Sequence, residues 1–292
     1  SLARELVEKY PRYVGRRLDL ARCLEPAARI EVLEEARELA PLDISVTDTL
    51  ANAHADLRQY DRAIAVCSDE EWSGAAPVPL RGRRAVLMAE TGDARGGIRE
   101  LEEVLEESPT YRFGWTSLTM LLRSIGDFDG AERAARRWTD MNPYDIDALA
   151  ATVEILLARK AINDVRPLLD RMLAINPGHP FAALVYMDLL LQRNSRRAVR
   201  KFLKRVETHQ PPGNMGILRA RASLANGNPR KAMDHLERAI RFDLPEQDLR
   251  QIASQLAQMG HGLEVAQVVE EAFHGEEVSS VLALAGAWDD LT

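Results

Sequence analysis

A proline recurs at a fixed interval of 34 residues along this chain. The proline series comprises Pro41, Pro109, Pro143, Pro177, Pro211 and Pro245, and it misses only the position near residue 75, where Pro77 lies two residues away. Each proline follows an apolar-periodic segment, at the point where a helix should end. Internal repetition at such a period is typical of folds whose units stack on their neighbours. The interval therefore predicts a chain of short helical units.

Each interval between prolines divides into two helical stretches. In residues 112–145 the apolar side chains recur at spacings of three and four, which predicts one buried stripe on each helix. A turn that often contains glycine separates the stretches, because a left-handed backbone is often needed there. This turn reads LRQYDRA at 57–63, TGDARGG at 91–97, IGDFDGA at 125–131 and NGNPRKA at 226–232.

Two columns of the aligned units predict where the helices pack. The first column is a packing face formed by Leu33, Cys67, Leu101, Ala135, Leu169 and Leu203, with Leu236 one place out of register. The second holds the small residues Ala63, Gly97, Ala131 and Ala232, where two helices must approach closely. The segment 68–84 departs from the pattern, because it lacks the series proline and carries two others. It predicts a shortened helix with a local irregularity, either a hinge or a loop variant.

These columns resemble the tetratricopeptide repeat (TPR) family. The match is best in 112–145, through Trp115, Leu118, Gly126, Ala131 and Pro143. The resemblance implies an all-α fold, a right-handed α-solenoid of about seven to eight stacked antiparallel helix pairs. The expected organisation is a solenoid over 1–275, with a half unit 1–11, units 12–43, 44–77, 78–111, 112–145, 146–179, 180–212, 213–246 and 247–275, and a C-terminal capping helix over 276–292.

Composition narrows the class of function. The net charge of -7 and the pI near 5.5 argue against general affinity for nucleic acid. No apolar run approaches the roughly 20 residues needed to span a bilayer, so no membrane partner is expected. Only Cys23 and Cys67 occur, without metal-binding or redox spacing, and this favours a reducing, cytoplasmic location. Because the chain opens at Ser1 without methionine, we expect it to be a piece of a longer protein.

The loops that look like chemical sites fit the repeat better than any ligand. In SIGDFDGAERAARRWTDMNP, at 124–143, Asp127 and Asp129 supply two acids, but Ala131 and Thr139 do not continue a calcium loop. A phosphate loop would need a preceding strand and a Gly-Lys-Ser/Thr ending. The six histidines lack zinc spacing, and His54 is expected to be packed. We expect no catalytic residue, no metal and no cofactor.

Two surfaces are candidates for contacts. In the TPR family the first helix of each pair lines a concave groove, and the positions carried over from it are Asp48, Asn52, Asp56, Glu90, Met120, Arg123, Glu154, Asp188, Gln192 and Arg221. Asp48 stands where relatives that hold C-terminal carboxylates need a lysine, which argues against that ligand. The groove is mixed and mildly acidic, which favours a peptide with basic or polar groups.

The second surface is one helix face within RNSRRAVRKFLKRV, at 193–206, which contains seven basic residues and no acid. Four-residue spacing places six of them on one face: Arg196, Arg197, Arg200, Lys201, Lys204 and Arg205. This basic face is either a solvated surface, a dock for an acidic partner, or a contact with an acidic helix of another copy. Nucleic acid is the least favoured ligand, because no aromatic residues interleave with the charges.

The resemblance implies a protein-protein interaction scaffold that binds a peptide or a partner helix along its groove. The alternative is a regulatory or targeting region of a longer enzyme whose catalytic domain lies outside this chain. Self-association through the basic face or the C-terminal helix is a third hypothesis. Under each of them this chain itself is not an enzyme.

Overall fold

A computed structural model describes residues 2–242, 246–262, 264, 265 and 268. The described part is all-α, without a strand. The helices are α1 Leu2–Lys9, α2 Val14–Ala21, α3 Pro26–Leu39, α4 Ile44–Asp56, α5 Tyr60–Val66, α6 Val78–Glu90, α7 Ala94–Glu107, α8 Arg112–Ser124, α9 Phe128–Met141, α10 Ile146–Ala158, α11 Ile162–Ile175, α12 Pro180–Gln192, α13 Arg196–Val206, α14 Pro212–Ala225, α15 Pro229–Ala239 and α16 Glu246–Leu256. A 3₁₀ turn spans Asp69–Glu71, and a π-helical turn spans Ala257–His261.

The helices fall into pairs that follow the 34-residue period. Each predicted range from 12–43 to 180–212 contains one pair, from α2 and α3 to α12 and α13. We call the two members the first and the second helix of a pair. The all-α, helical-repeat class is confirmed. The predicted capping helix over 276–292 lies outside the described residues, as does most of the range 247–275.

The proline series marks helix ends, as predicted. The second helices α3, α7, α9 and α11 each end two residues before a series proline. The residue between them is extended rather than helical, with ψ between 74° and 95°. Proline imposes this conformation because its ring clashes with a helical residue before it. In these four pairs the proline therefore limits the length of the second helix.

The turns within the pairs repeat at the backbone level. A positive φ occurs at Arg58, Gly92, Gly126, Lys160 and Asn194, each 34 residues after the last, and again at Gly227. The turn prediction is confirmed, and it extends to two pairs in which no glycine marks the turn. An L residue in the left-handed region is disfavoured, least so for asparagine. Arg58 and Lys160 therefore hold strained turns.

The chain forms two compact units, which divide between Pro143 and Tyr144. In unit 1, residues 1–143, α4 packs on α5 and α6, and α6 packs on α7 and α8. In unit 2, from Tyr144 onward, α12 packs on α13 and α14, and α14 packs on α15 and α16. First helices thus contact both their own partner and the next first helix.

The predicted packing columns form the cores of these units. All members of the first column are fully buried except Leu203, which is half-buried at the edge of α13; the buried members are Leu33, Cys67, Leu101, Ala135, Leu169 and Leu236. The small residues Ala63, Gly97, Ala131 and Ala232 are buried as well. At Gly97 an added Cβ would lie 2.2 Å from the carbonyl oxygen of Ala85 on α6. The close approach predicted at this column is confirmed.

The irregular segment after α5 follows the sequence prediction of a shortened helix. α5 has only 7 residues, and the Asp69–Glu71 turn follows it. The Asp69 carboxylate accepts a hydrogen bond of 2.7 Å from the Ala76 amide and a salt bridge of 3.3 Å from Arg84. These contacts lower the pKa of Asp69, the amide hydrogen bond being the largest cause. The loop is therefore tied to the start of α6.

Candidate partner-binding surface

The loop within 124–143 that resembled a chemical site is the turn that leads into α9, and Asp127 caps this helix. Gly126 has a φ of +81°, and the Asp127 carboxylate accepts a hydrogen bond of 2.7 Å from the Gly130 amide at the start of α9. Asp93 makes the same bond to the Gly96 amide one repeat earlier. Such a bond satisfies an amide that the helix leaves without a partner. Asp93 and Asp127 therefore cap the starts of α7 and α9.

The side chains of His54 and Cys67 have structural roles. His54 is buried, and its Nδ1 lies 2.9 Å from Oε1 of Gln59, as expected of a packed histidine. Burial, and secondarily the Asp48 carboxylate, raises the pKa of the Cys67 thiol to about 12. This thiol stays protonated at neutral pH and is not a nucleophile. Among the described residues, no group of three or more His, Cys, Asp or Glu is arranged to hold a metal ion.

The first helices of unit 1 present one outward strip each. On α4 the strip contains Asp48, Asn52 and Asp56, all predicted groove residues. These positions recur every four residues, so they lie on one side of the helix, opposite the buried Leu50 and Ala53. The strip on α6 contains Arg83 and the exposed Glu90, and the strip on α8 contains the exposed Met120 and Arg123. We call the strips on α4, α6 and α8 together the first-helix face of unit 1.

A chain of polar contacts joins these three helices. The guanidinium of Arg83, on α6, makes a bidentate pair with the Asp48 carboxylate, at 2.9 Å and 3.2 Å. The same guanidinium lies 5.1 Å from the ring centroid of Phe113, on α8. Bidentate geometry and cation-π contact both fix the orientation of the planar arginine side chain. The first-helix face is therefore ordered without a ligand.

An aromatic pair borders this chain of contacts. The rings of Tyr111 and Phe113 have centroids 5.9 Å apart, and the Tyr111 hydroxyl lies 3.4 Å from the carbonyl oxygen of Pro79. Burial raises the pKa of Tyr111 to about 12, and the Asp48 carboxylate adds to the rise. Tyr111 therefore remains a neutral donor, and Phe113 keeps 36% of its surface exposed.

The side chains of the first-helix face differ in whether they are free to contact a ligand. Asn52 is half-buried on α4, and among the described residues its amide makes no hydrogen bond. Met120 on α8 is 50% exposed, although methionine is usually buried. By contrast, Asp56 is occupied, because its Oδ2 pairs with the Arg29 guanidinium at 3.0 Å. The groups of this face that remain open to a ligand are therefore an amide, apolar surface and the exposed Glu90 carboxylate on α6, which forms no ion pair among the described residues.

The predicted groove residue Arg221 is not an exposed contact residue. It lies on α14 with 7% of its surface exposed. Its guanidinium donates to both Asp188 carboxylate oxygens, at 2.7 Å and 2.9 Å, and to Oε1 of Gln251 at 2.7 Å. The physical reason is that α12 and α16 both pack on α14 and cover its surface. Arg221 therefore bridges three first helices instead of facing solvent.

A cavity of about 400 Å³ lies beside this bridge. It is lined by Asp188, Leu191, Arg221, Leu224, Ala225, Gln251, Gln255, Gln258 and Met259. The structure thus brings Asp188 and Arg221 together, and Gln192 is exposed next to the cavity wall. The glutamines escaped the sequence analysis because the last repeat carries no series proline to place them. The remaining groove positions, Glu90 and Glu154, are exposed on α6 and α10.

A second cavity, of about 480 Å³, lies between α7, α8 and α9. Its floor is apolar and includes the buried Trp115, whose ring lies 5.7 Å from the Arg137 guanidinium. Glu102 and Glu106 line it from α7. No motif predicts this cavity, because it forms between two repeats rather than within one.

The predicted basic face lies on α13, the second helix of its pair. All six of its residues are exposed, whereas Val199, Phe202 and Val206 on the opposite side are buried. Arg205 pairs with Asp170 of α11 at 3.5 Å. In the described part of the chain, Arg196, Arg197, Arg200, Lys201 and Lys204 form no ion pair. This helix therefore carries uncompensated positive charge.

The fold is that of TPR proteins. A TPR protein from Parabacteroides merdae shares 15% identity with this chain, covers 87% of it and 98% of its own length, and superposes with a TM-score of 0.52. Yeast Tom70 shares 15% identity over 90% of this chain and 58% of its own length, with a TM-score of 0.60. No known protein-family profile and no curated protein matches the sequence. At these identities the likeness concerns the fold.

None of the described helices has the length and apolar character required to cross a bilayer.

Proposed function

We propose that this chain is a protein-protein interaction scaffold that binds an extended segment of a partner along the first-helix face of unit 1. The observation that carries the proposal is the connected set Asp48, Arg83 and Phe113, which orders the faces of α4, α6 and α8 before any ligand arrives. Binding to an ordered surface avoids part of the entropic cost of association. The TPR fold, which is built from such faces, supports the proposal.

The chemistry of the face specifies the ligand class. The carboxylates of Asp48 and Asp56 are paired with arginines, so among the described groove residues of this face Glu90 is the carboxylate left for a basic group. The free amide of Asn52 fits a peptide backbone, which offers both donors and acceptors. The exposed Met120 fits an apolar side chain, and methionine adapts to irregular shapes. The expected ligand is therefore an extended segment with at least one apolar residue, in which a basic residue can pair with Glu90.

The span of the face sets the length of the segment. Neighbouring helix axes lie about 10 Å apart, so α4 and α8 are separated by about 20 Å. An extended chain covers this distance with about six residues. A library of displayed peptides of about 12 residues, roughly twice that span, is therefore long enough to contain the binding segment.

The test is selection of such a library on the purified protein, followed by fluorescence polarisation with the enriched peptide. The double variant Asn52→Ala/Met120→Ala should weaken binding by about 10-fold to 100-fold, because it removes one hydrogen-bonding amide and one apolar contact. The matched control is Asn163→Ala/Met141→Ala, which makes the same two changes at exposed positions of the second helices α11 and α9. Failure to enrich any peptide, or equal affinity of both double variants, would contradict the proposal.

We also propose that the protein works in the cytoplasm. The free thiols of Cys23 and Cys67 support this location, since disulfides are rare in reducing compartments. Imaging of the tagged full-length protein in its source cells tests the location, and a signal confined to an oxidising compartment would refute it.

A further inference from the structure

The positive charge of this protein is concentrated in one region. Residues 191–241 contain 13 Lys and Arg against 3 Asp and Glu, a net charge of +10, while the whole chain has a net charge of -7. The basic face of α13 forms the densest part of this region, with six exposed cations within ten consecutive residues. Such segregation gives one surface an attraction for anions that the average charge of the chain would not predict.

The surroundings of α13 do not neutralise it. Glu207, which caps the helix, is paired with Arg219 of α14 rather than with a cation of α13. The pKa of His235 on α15 is lowered, first by burial and then by the nearby Arg219, Lys231 and Arg238. Cations are thus also grouped around His235 on the next helix pair. Within the described residues, the five unpaired cations of α13 have no acidic partner.

The geometry of α13 selects among anionic ligands. Its only aromatic residue, Phe202, is 4% exposed and stacks on Tyr186 with ring centroids 4.7 Å apart, so no base can stack on this helix. Its buried apolar residues Val199 and Val206 cannot insert into a lipid surface. Four of the six cations of the face are arginines, whose planar guanidinium matches a carboxylate bidentately. The buried aromatic and apolar residues disfavour base stacking and insertion into lipid, and the exposed arginines suit a carboxylate partner.

We propose that the basic face of α13 docks an acidic helix of a partner protein, distinct from the segment bound on the first-helix face. The cations lie in two rows with four-residue spacing, Arg196, Arg200 and Lys204 beside Arg197, Lys201 and Arg205. Residues four apart on a helix are about 6 Å apart along its axis. A partner helix with glutamates in two rows of the same spacing places a carboxylate opposite each cation.

The test uses two labelled helical peptides of identical composition and charge. One carries six glutamates in two rows of four-residue spacing, and the other carries the same residues in scrambled order. We expect the patterned peptide to bind at least about 10-fold tighter, because only it aligns its carboxylates with the cations. We expect this affinity to fall when the salt concentration rises from about 50 mM to about 300 mM, since these charges are exposed.

A pair of variants separates this face from general electrostatics. Arg196→Glu/Arg200→Glu should lower the affinity for the patterned peptide by about 10-fold or more. Its control is Arg95→Glu/Arg99→Glu, which makes the same charge change at two exposed arginines with the same spacing in the first turns of α7. The control should change the affinity by less than about 3-fold. Both pairs lie on solvent-exposed helix faces, and circular dichroism verifies that both variants fold.

Three results would overturn the proposal. The first is equal affinity for the patterned and scrambled peptides, which would mean that charge alone is recognised. The second is tighter binding of a single-stranded oligonucleotide of equal charge, which would assign the face to nucleic acid. The third is salt-sensitive dimerisation of the protein that Arg196→Glu/Arg200→Glu abolishes in analytical ultracentrifugation, which would make a second copy the occupant.

Discussion

Replacing Gly97 by alanine should destabilise unit 1, although alanine occupies the equivalent position in three other repeats. Gly97 lies on α7 where it crosses α6, and a Cβ there would be 2.2 Å from the Ala85 carbonyl oxygen. Carbon and oxygen atoms in contact are normally at least about 3.2 Å apart, so the two helices must separate by about 1 Å. The obstacle is backbone, which cannot rotate away as a side chain would.

The magnitude follows from two opposing effects. Overpacking a core by one methyl group costs about 1 to 3 kcal/mol, and the backbone obstacle places Gly97→Ala near the upper end. Alanine is the better helix former, and this stabilises the folded state by about 1 kcal/mol. The net loss should be about 2 kcal/mol in the free energy of unfolding, which lowers the Tm by about 4 to 8 °C for a unit of this size.

The assay is urea and thermal unfolding monitored by far-ultraviolet circular dichroism. The matched control is Gly96→Ala on the same helix, where the added Cβ would meet the Asp93 carboxylate at 2.1 Å. That side chain is free to rotate, and the loss of its cap, about 1 kcal/mol, is offset by the gain in helix propensity. Gly96→Ala should therefore be close to neutral. If Gly97→Ala is as stable as the wild type, or if the two variants lose equal stability, the reasoning from close backbone approach is wrong.

Two further predictions concern the turns and the response to pH. Lys160→Gly should stabilise the protein by about 0.5 to 1 kcal/mol in urea unfolding, because it relieves a φ of +59° at an exposed position. Gly126→Ala, at the equivalent turn, should destabilise the protein. A loss of stability in Lys160→Gly would refute the strain argument. The His179 Nδ1 accepts the Ala182 amide at the start of α12, and burial lowers the His179 pKa below 6.5. The unfolded state therefore takes up this proton first, and stability should fall as the pH drops below about 6.5. His179→Asn keeps the cap and should reduce this fall between about pH 7.5 and 5.5, and an unchanged pH profile would exclude His179 as its source.

The repeat was readable from the sequence because its markers act locally. Pro41 and Pro143 end helices through a clash with the preceding residue, wherever the helix packs. The turns of the pairs α10–α11 and α12–α13 could not be predicted from the sequence, because Lys160 and Asn194 adopt a positive φ without the glycine that usually marks it. There the packing of the helix pair imposes the turn on residues that do not prefer it.

The sequence indicates which residues share a helix face, but it does not indicate which charged side chains form ion pairs. The predicted groove residues of α4, α6 and α8 share one side of each helix, because helical periodicity determines which residues share a face. The pairs Asp48–Arg83 and Asp188–Arg221 were missed, although their spacings of 35 and 33 residues are close to one repeat. Side chains one repeat apart are neighbours in a stack, so opposite charges at that spacing are the signal that identifies such pairs. Whether they meet depends on how first helices pack, which the period alone does not determine.

The ion pairs between repeats determine which surface of the protein carries unpaired charge. The sequence predicts a mildly acidic groove suited to a peptide with basic or polar groups. In the structure the carboxylates of Asp48, Asp56 and Asp188 are each paired with an arginine from a neighbouring helix. A paired carboxylate attracts a second cation only weakly, because the first already cancels its field at a distance. The positive charge of α13 has no such compensation within the described residues apart from Arg205. The proposed recognition on the first-helix face therefore depends mainly on hydrogen bonds and apolar contacts, whereas the proposed recognition on α13 depends on charge.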